Sequence, residues 1–233
     1  MSAIVQSEWQ IELTEHGGAV IESVVSPCEI SELLLCIGRD PLPRSRAGIR
    51  HALRHPAVRA VAHDTRLLSL AHAVLGPAAF PFRATVFDKS SQSNWRVAWH
   101  QDKALPLVRK IDAEGWGGWS TKDGYLYAHA PASALSQVLA LRLHLDDSTQ
   151  RNGPLRILPG THTLGLLTDD RMTELAGSSS SSSLTVVAGG AIVIRPLVVH
   201  SSQKSENDCP RRVLHIEYAA TRHFDCAELA ITD

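Results

Sequence analysis

Several common protein classes are excluded by what this sequence lacks. Its 233 residues hold four cysteines, Cys28, Cys36, Cys209 and Cys226, scattered with no CxxC pair. That argues against a zinc ribbon or a disulfide scaffold and fits a reducing compartment. The formal net charge is −1, so bulk electrostatics give no reason to expect nucleic acid or a membrane as partner. No apolar run approaches the roughly 18 residues of a membrane span, and no basic-then-apolar leader is visible. The expectation is a cytoplasmic protein, with no signal for an oligomeric state. There is no internal repeat and no dividing linker. With 44% hydrophobic and 20% charged residues, the chain has an ordinary composition and is long enough for one sizeable core, a single domain over 1–233.

What is present begins with helices and continues as strands. Residues 9–13 form a strand or short helix, Gly17-Gly18 a turn, and Ala19-Val20-Ile21 a strand. Ser26, Pro27 and Glu29 are start signals for a helix. Residues 41–56 carry Arg44, Arg46, Arg50, His51, Arg54 and His55. This cluster suggests an anion site, but its plainer reading is a solvated loop and helix over the core. Helical patterns follow from Pro56 and from Asp64, the second closed by Gly76-Pro77. Strand-like alternation runs over 82–89, 97–100, 138–146, 184–188 and 213–218, with an apolar strand leading to His200. The Gly189-Gly190 pair signals a hairpin. Residues 168–177 read as a helix, and the serine run 178–183 as a flexible surface loop. Residues 103–134, rich in Gly and Trp, read as a long insert, its tryptophans either packed on a barrel rim or forming a lid. Many short strands behind a helical front suggest a mainly β fold with flanking helices and a jelly-roll core.

The chemistry is concentrated in Trp99-His100-Gln101-Asp102. In an extended strand residues i and i+2 share a face, so His100 and Asp102 can grip one cation. A lone HxD among 12 histidines is a frequent accident, and its bland reading is a solvated strand edge. His200, closing the apolar run 191–199, is the best third ligand. Two His and one carboxylate with open positions form the donor set of non-haem Fe(II) oxygenases. Arg211, eleven residues past His200, supplies a guanidinium suited to a bidentate grip on a carboxylate. Together they point to a 2-oxoglutarate-dependent oxygenase. His162 follows a Pro-Gly turn and is read as bonding that turn rather than as a ligand.

These residues resemble the phytanoyl-CoA dioxygenase family of Fe(II)/2-oxoglutarate oxygenases. The likeness runs from about Arg46 to Tyr218, densest at 99–102, 145–155, 158–162 and 200–212. It implies a double-stranded β-helix, cupin-like core. It implies that His100, Asp102 and His200 hold Fe(II), with 2-oxoglutarate and O2 as cosubstrates, and that Arg211 pairs with the distal carboxylate of 2-oxoglutarate; Arg212 lies on the opposite strand face, so one of the two points away, and Arg211 is the favoured one. Ser202 matches a cosubstrate contact of relatives, and Gln101 is a further candidate. Lys89 and Arg142 are weaker candidates for the cavity wall, with a structural ion pair as their alternative. The implied reaction hydroxylates a C–H bond of a small molecule, releasing succinate and CO2. Relatives that chlorinate lack the carboxylate ligand, so Asp102 favours hydroxylation. The competing readings are a cupin-like metal enzyme that needs no 2-oxoglutarate, a zinc hydrolase, and a non-catalytic jelly-roll binding protein.

Overall fold

The structure, a computed structural model, describes residues 6–45, 48–89 and 94–233. Arg46 of the basic cluster lies outside the described residues, as do residues 90–93 of the polar stretch Ser90–Asn94, expected as a loop between two strands. Four helices lead: α1 (Glu8–His16), α2 (Pro27–Arg39), α3 (Pro56–Ala62) and α4 (Thr65–Leu75), with strands β1 (Gly18–Ile21) and β2 (Gly48–Ile49) between them. Local chemistry sets their ends. At α2 the Ser26 hydroxyl accepts from the Glu29 N–H, and the Glu29 carboxylate accepts from the Ser26 N–H at 2.8 Å. This reciprocal cap satisfies two orphan donors. α1 stops at Gly17, which takes φ 81 at little steric cost.

Strands dominate from there: β3 (Phe80–Lys89), β4 (Val97–His100), β5 (Ala104–Leu107), β6 (Gly117–Lys122) and β7 (Tyr125–His129). After the single-turn helix α5 (Ala132–Leu135) come β8 (Val138–His144) and β9 (Leu155–Ile157). Then follow α6 (Asp169–Ser178), β10 (Ser182–Leu184), β11 (Ala191–Ile194), β12 (His200–Ser202) and β13 (Arg211–Ala219). Among the described residues a large sheet is ordered β1-β11-β8-β13-β3-β2, and a smaller one β10-β9-β12-β4. Side chains of both sheets meet in one cluster, with Ala140, Ile192 and Ile194 against Leu155 and Ile157. This is the expected jelly roll.

The large sheet is covered on both faces. Along β8, Leu139, Leu141 and Leu143 face outward and pack with Leu33, Val58 and Leu67 of the helices. The alternate residues Ala140, Arg142 and His144 turn into the barrel, as strand alternation requires. Burying side chains on both faces explains why β8 reads as an almost unbroken apolar run.

Three expectations need correction. The apolar run 191–199 is not one strand. It breaks at Arg195-Pro196, because proline cannot donate to a ladder. β11 belongs to the large sheet and β12 to the small one, so the break carries His200 from one sheet to the other. The Gly189-Gly190 pair makes no hairpin. β10, formed partly from the serine run, pairs with β9 rather than β11, and the glycines pass the chain between sheets. Residues 103–134 are not a structureless insert either. β5, β7 and β6 form a three-stranded sheet, and Trp116 and Trp119 pack on a cluster containing Phe82, Leu105, Leu135 and Phe224. No helix among the described residues is long and apolar enough to cross a membrane, and the four cysteines are free.

Candidate metal centre

β4 and β12 run antiparallel, and their register makes His100 and His200 direct cross-strand partners. The ring centroids are 4.2 Å apart. β4 ends at His100, so Asp102 lies just past the strand, where its N–H donates to the Pro196 carbonyl at 2.9 Å. Its side chain still turns to the same side as that of His100. His100 Nε2 is 3.7 Å from Asp102 Oδ1, and His200 Nε2 is 3.6 Å from Oδ2. These separations are too long for hydrogen bonds. They suit donors around a shared ion, since two atoms each about 2.1 Å from one metal stand roughly 3–4 Å apart. All three donor atoms lie within 4.8 Å of one another.

Proton placement supports the same reading. Each histidine Nδ1 is 2.9 Å from a backbone carbonyl, Ala98 for His100 and Val198 for His200. A carbonyl only accepts, so each Nδ1 carries the hydrogen and each Nε2 presents a lone pair toward Asp102. Burial, with His100 alongside, pushes the His200 imidazole down to about 4, which keeps it neutral and able to bind a metal. Burial alone would raise the Asp102 carboxyl, but His200 and His100 outweigh it and hold it below the usual carboxylate range. Two imidazoles and one carboxylate on a single side fit ferrous iron and leave coordination positions for other ligands.

A cavity of about 180 Å³ opens on this triad and is also lined by Lys89, Arg142, Ser202 and Arg211. The register sets Lys89 opposite Arg211 on β3 and β13, and Arg142 opposite His215 on β8 and β13. Lys89 Nζ donates to the Gln203 carbonyl at 2.5 Å and to Ser202 Oγ at 3.2 Å. Arg211 Nε donates to the Asn152 carbonyl at 3.2 Å. Arg142 Nη1 donates to His215 Nδ1 at 3.1 Å, and its Nε has no partner. Among the described residues none of these three cations meets a carboxylate in an ion pair. Burial, then Arg211 and Arg142, push the Lys89 ammonium down to about 7. Burial and Arg142 push Arg211 down to about 10. Buried like charges of this kind are unfavourable unless an anion joins them. Arg212, one residue on, turns outward and binds Asp146 through its N–H and guanidinium at 2.6–2.8 Å.

The family model for phytanoyl-CoA dioxygenase (PhyH) matches residues 13–213. The chain belongs to the phytanoyl-CoA dioxygenase family. A curated relative, L-proline trans-4-hydroxylase of Streptomyces griseoviridis, is 26% identical over 178 residues, 65% of this chain. The match spans 59% of that relative's length. Solved structures share the fold. AviO1 from Streptomyces viridochromogenes Tue57 superposes with a TM-score of 0.67 at 21% identity, covering 99% of this chain and all of its own. EctD from S. alaskensis in its apoform gives 0.69 at 20% identity, over 92% of this chain and 77% of its own. HygX from Streptomyces hygroscopicus, with nickel and 2-oxoglutarate bound, gives 0.66 at 17%, over 93% and 87%.

Within this member of the phytanoyl-CoA dioxygenase family, one candidate contact is corrected. Gln101 does not face the cavity. It lies between two residues that turn inward, so alternation sends it the other way. Its amide donates to the Gly165 and Leu197 carbonyls, both at 2.8 Å, and its oxygen accepts from the Leu167 N–H at 2.9 Å. Gln101 therefore anchors the HxD segment instead of touching a cosubstrate. His162 is also remote from the triad. Its Nε2 is 3.2 Å from the Thr14 carbonyl of α1, so its partner is that helix and not the Pro-Gly turn. Sequence reasoning missed His215, Phe87 and Trp95, which also line the cavity. Stepping by two from Arg211 along β13 reaches His215 and then Glu217, a signal that was available in the alternation.

Proposed function

We propose that this protein is a non-haem Fe(II)- and 2-oxoglutarate-dependent dioxygenase that hydroxylates a C–H bond of a small molecule. One observation carries the reading: a His-Asp-His donor set opens onto a small cavity holding three cations that meet no carboxylate among the described residues. Family membership and the fold shared with HygX, which binds 2-oxoglutarate, support it.

His100, Asp102 and His200 would hold the iron. With 2-oxoglutarate and O2, bound ferrous iron supplies the oxidising power for hydroxylation, while the cosubstrate leaves as succinate and CO2. The chain's own groups bind and orient. Arg211, Lys89 and Ser202 form the end of the cavity suited to a carboxylate, through charge-assisted hydrogen bonds. Arg142, held by His215 and lying 5.5 Å from the Phe87 ring, adds a third positive charge to the same wall. Leu155 and Phe87 line the cavity with apolar surface, which limits water around the reacting atoms. A metal enzyme that dispenses with a keto acid would have no use for these uncompensated cations.

The deciding experiment is a succinate-release screen of candidate metabolites with Fe(II), O2 and 2-oxoglutarate. Succinate that depends on iron and on an added metabolite is the expected result. Oxygen uptake that proceeds equally without 2-oxoglutarate would overturn the assignment.

A further inference from the structure

His215 lines the same cavity as the triad, and holding Arg142 uses only one of its two ring nitrogens. Residues 211, 213, 215 and 217 of β13 share the inward face, as alternation requires. The register sets His215 at the centre of a polar rung, between Arg142 on β8 and Thr85 on β3. Glu217 opposite Arg83 makes the next rung. A guanidinium only donates, so the 3.1 Å contact from Arg142 Nη1 makes His215 Nδ1 the acceptor. The ring's single hydrogen therefore sits on Nε2. Among the described residues that N–H meets no acceptor in range. The closest carboxylate oxygen, Glu217 Oε2, is 3.8 Å from Nε2, past hydrogen-bond distance. Both Glu217 oxygens are already engaged by the Arg83 guanidinium.

The ring is also held in place. Phe87 packs against it edge-on, with centroids 5.7 Å apart and planes at 61°, while Arg142 fixes the far nitrogen. His215 is 6% exposed, and a donor so enclosed gains from any ligand that supplies an acceptor. A locked side chain in a cavity wall is what precise ligand placement needs. The surroundings select the acceptor. Arg142 stands alongside as a second donor, and the Glu217 carboxylate is committed to Arg83. A ligand ammonium would meet donors here, whereas a carbonyl or carboxylate oxygen would meet an N–H with a guanidinium beside it.

We propose that His215 determines substrate choice: its Nε2–H donates to a carbonyl or carboxylate oxygen of the substrate and so fixes which C–H faces the iron. The substrate role rests on the hydroxylase reading above; the donor at Nε2 rests only on the contacts of the ring.

Two measurements test it. The first follows the Nε2 NMR signal of His215, assigned by its loss in His215→Gln. It uses the full chain loaded with zinc(II), which has no redox chemistry, and with 2-oxoglutarate filling the Arg211 end. Acetamide and acetate are titrated as probes, and methylammonium as the contrasting cation. Saturable shifts with acetamide or acetate are expected, and a response to acetate alone narrows the class to carboxylates. No shift with either, or an equal shift with methylammonium, overturns the donor. The second measurement takes any metabolite that scores in the succinate screen. His215→Asn keeps an oxygen for Arg142 but is too short to present a donor where Nε2 stands. It should raise that metabolite's KM about tenfold and leave the 2-oxoglutarate requirement within about twofold. His215→Gln, whose longer amide offers both an acceptor and a donor, should recover most of the loss. An unchanged KM in His215→Asn, or a raised 2-oxoglutarate requirement in its place, refutes the substrate contact and leaves the metal centre standing. Probe binding in a protein that never forms succinate refutes the substrate role through the reading it rests on.

Discussion

Lys89 on β3 and Arg211 on β13 stand directly across from each other inside the barrel, two cations that meet no carboxylate among the described residues. Burial and the neighbouring arginines hold the Lys89 ammonium down to about 7. A dicarboxylate placed there would raise it again. Binding of 2-oxoglutarate should therefore take up a proton when the pH is above about 7, and affinity should fall as pH rises. Calorimetry in buffers of different ionisation heat measures that uptake, and Lys89→Met should remove it. For folding the sign is opposite. The unfolded chain keeps the Lys89 proton to higher pH, so this group's contribution to stability grows as pH climbs through about 7.

The two adjacent arginines should separate cleanly. Arg211 lines the cavity, and Arg212 is tied to Asp146 on the outer face. Loss of a charged hydrogen-bond partner costs about 1.5–3 kcal/mol. Arg211→Ala should then raise the half-saturating 2-oxoglutarate concentration roughly 10–100-fold. Arg212→Ala gives up a partly exposed ion pair, a cost of about 1 kcal/mol or less in stability, with the cosubstrate requirement kept. Succinate formation titrated against 2-oxoglutarate for both variants decides it; the reverse order would exchange their roles.

The sequence made some of this legible and hid the rest for identifiable reasons. The helix starts at Ser26 and Thr168 were readable because capping is local. So was the shared face of Arg142 and His144, because alternation needs only neighbouring residues. The switch at Arg195-Pro196 was not, since the identity of the sheet receiving each half depends on strands far away in the chain. The three-stranded sheet over 104–129 was masked by its glycines and by the exposure of most of β6, which blur the two-residue period. Gln101 was misjudged for a subtler reason. The resemblance offered it as a cosubstrate contact, whereas alternation gives the residue between His100 and Asp102 the opposite face.

Asp102 supplies the only carboxylate among the three donors. Asp102→Ala should abolish iron-dependent turnover, a loss exceeding the roughly 10–100-fold seen when a supporting partner of a metal ligand is removed. The fold should survive, because Asp102 makes its backbone bond to Pro196 through its own N–H. Circular dichroism and ferrous-iron binding on the same sample check both halves. Full turnover in a folded variant would remove Asp102 from the ligand set.

Gln101 offers a test of anchoring against direct contact. Its side chain is 3% exposed and makes three hydrogen bonds that hold the residue between two ligands to the 165–167 loop and to Leu197. Gln101→Ala leaves two carbonyls and one N–H without their partner, a cost of about 2–4 kcal/mol. Gln101→Glu should be worse, since a carboxylate oxygen would then face a carbonyl that only accepts. Both variants should lower Tm and weaken ferrous-iron binding together, because the anchor sets where His100 and Asp102 stand. A residue that touched 2-oxoglutarate directly would behave differently, raising the cosubstrate requirement while Tm and iron affinity stayed at wild-type values. Measuring all three quantities on one variant therefore distinguishes a side chain that positions the metal ligands from one that binds the keto acid.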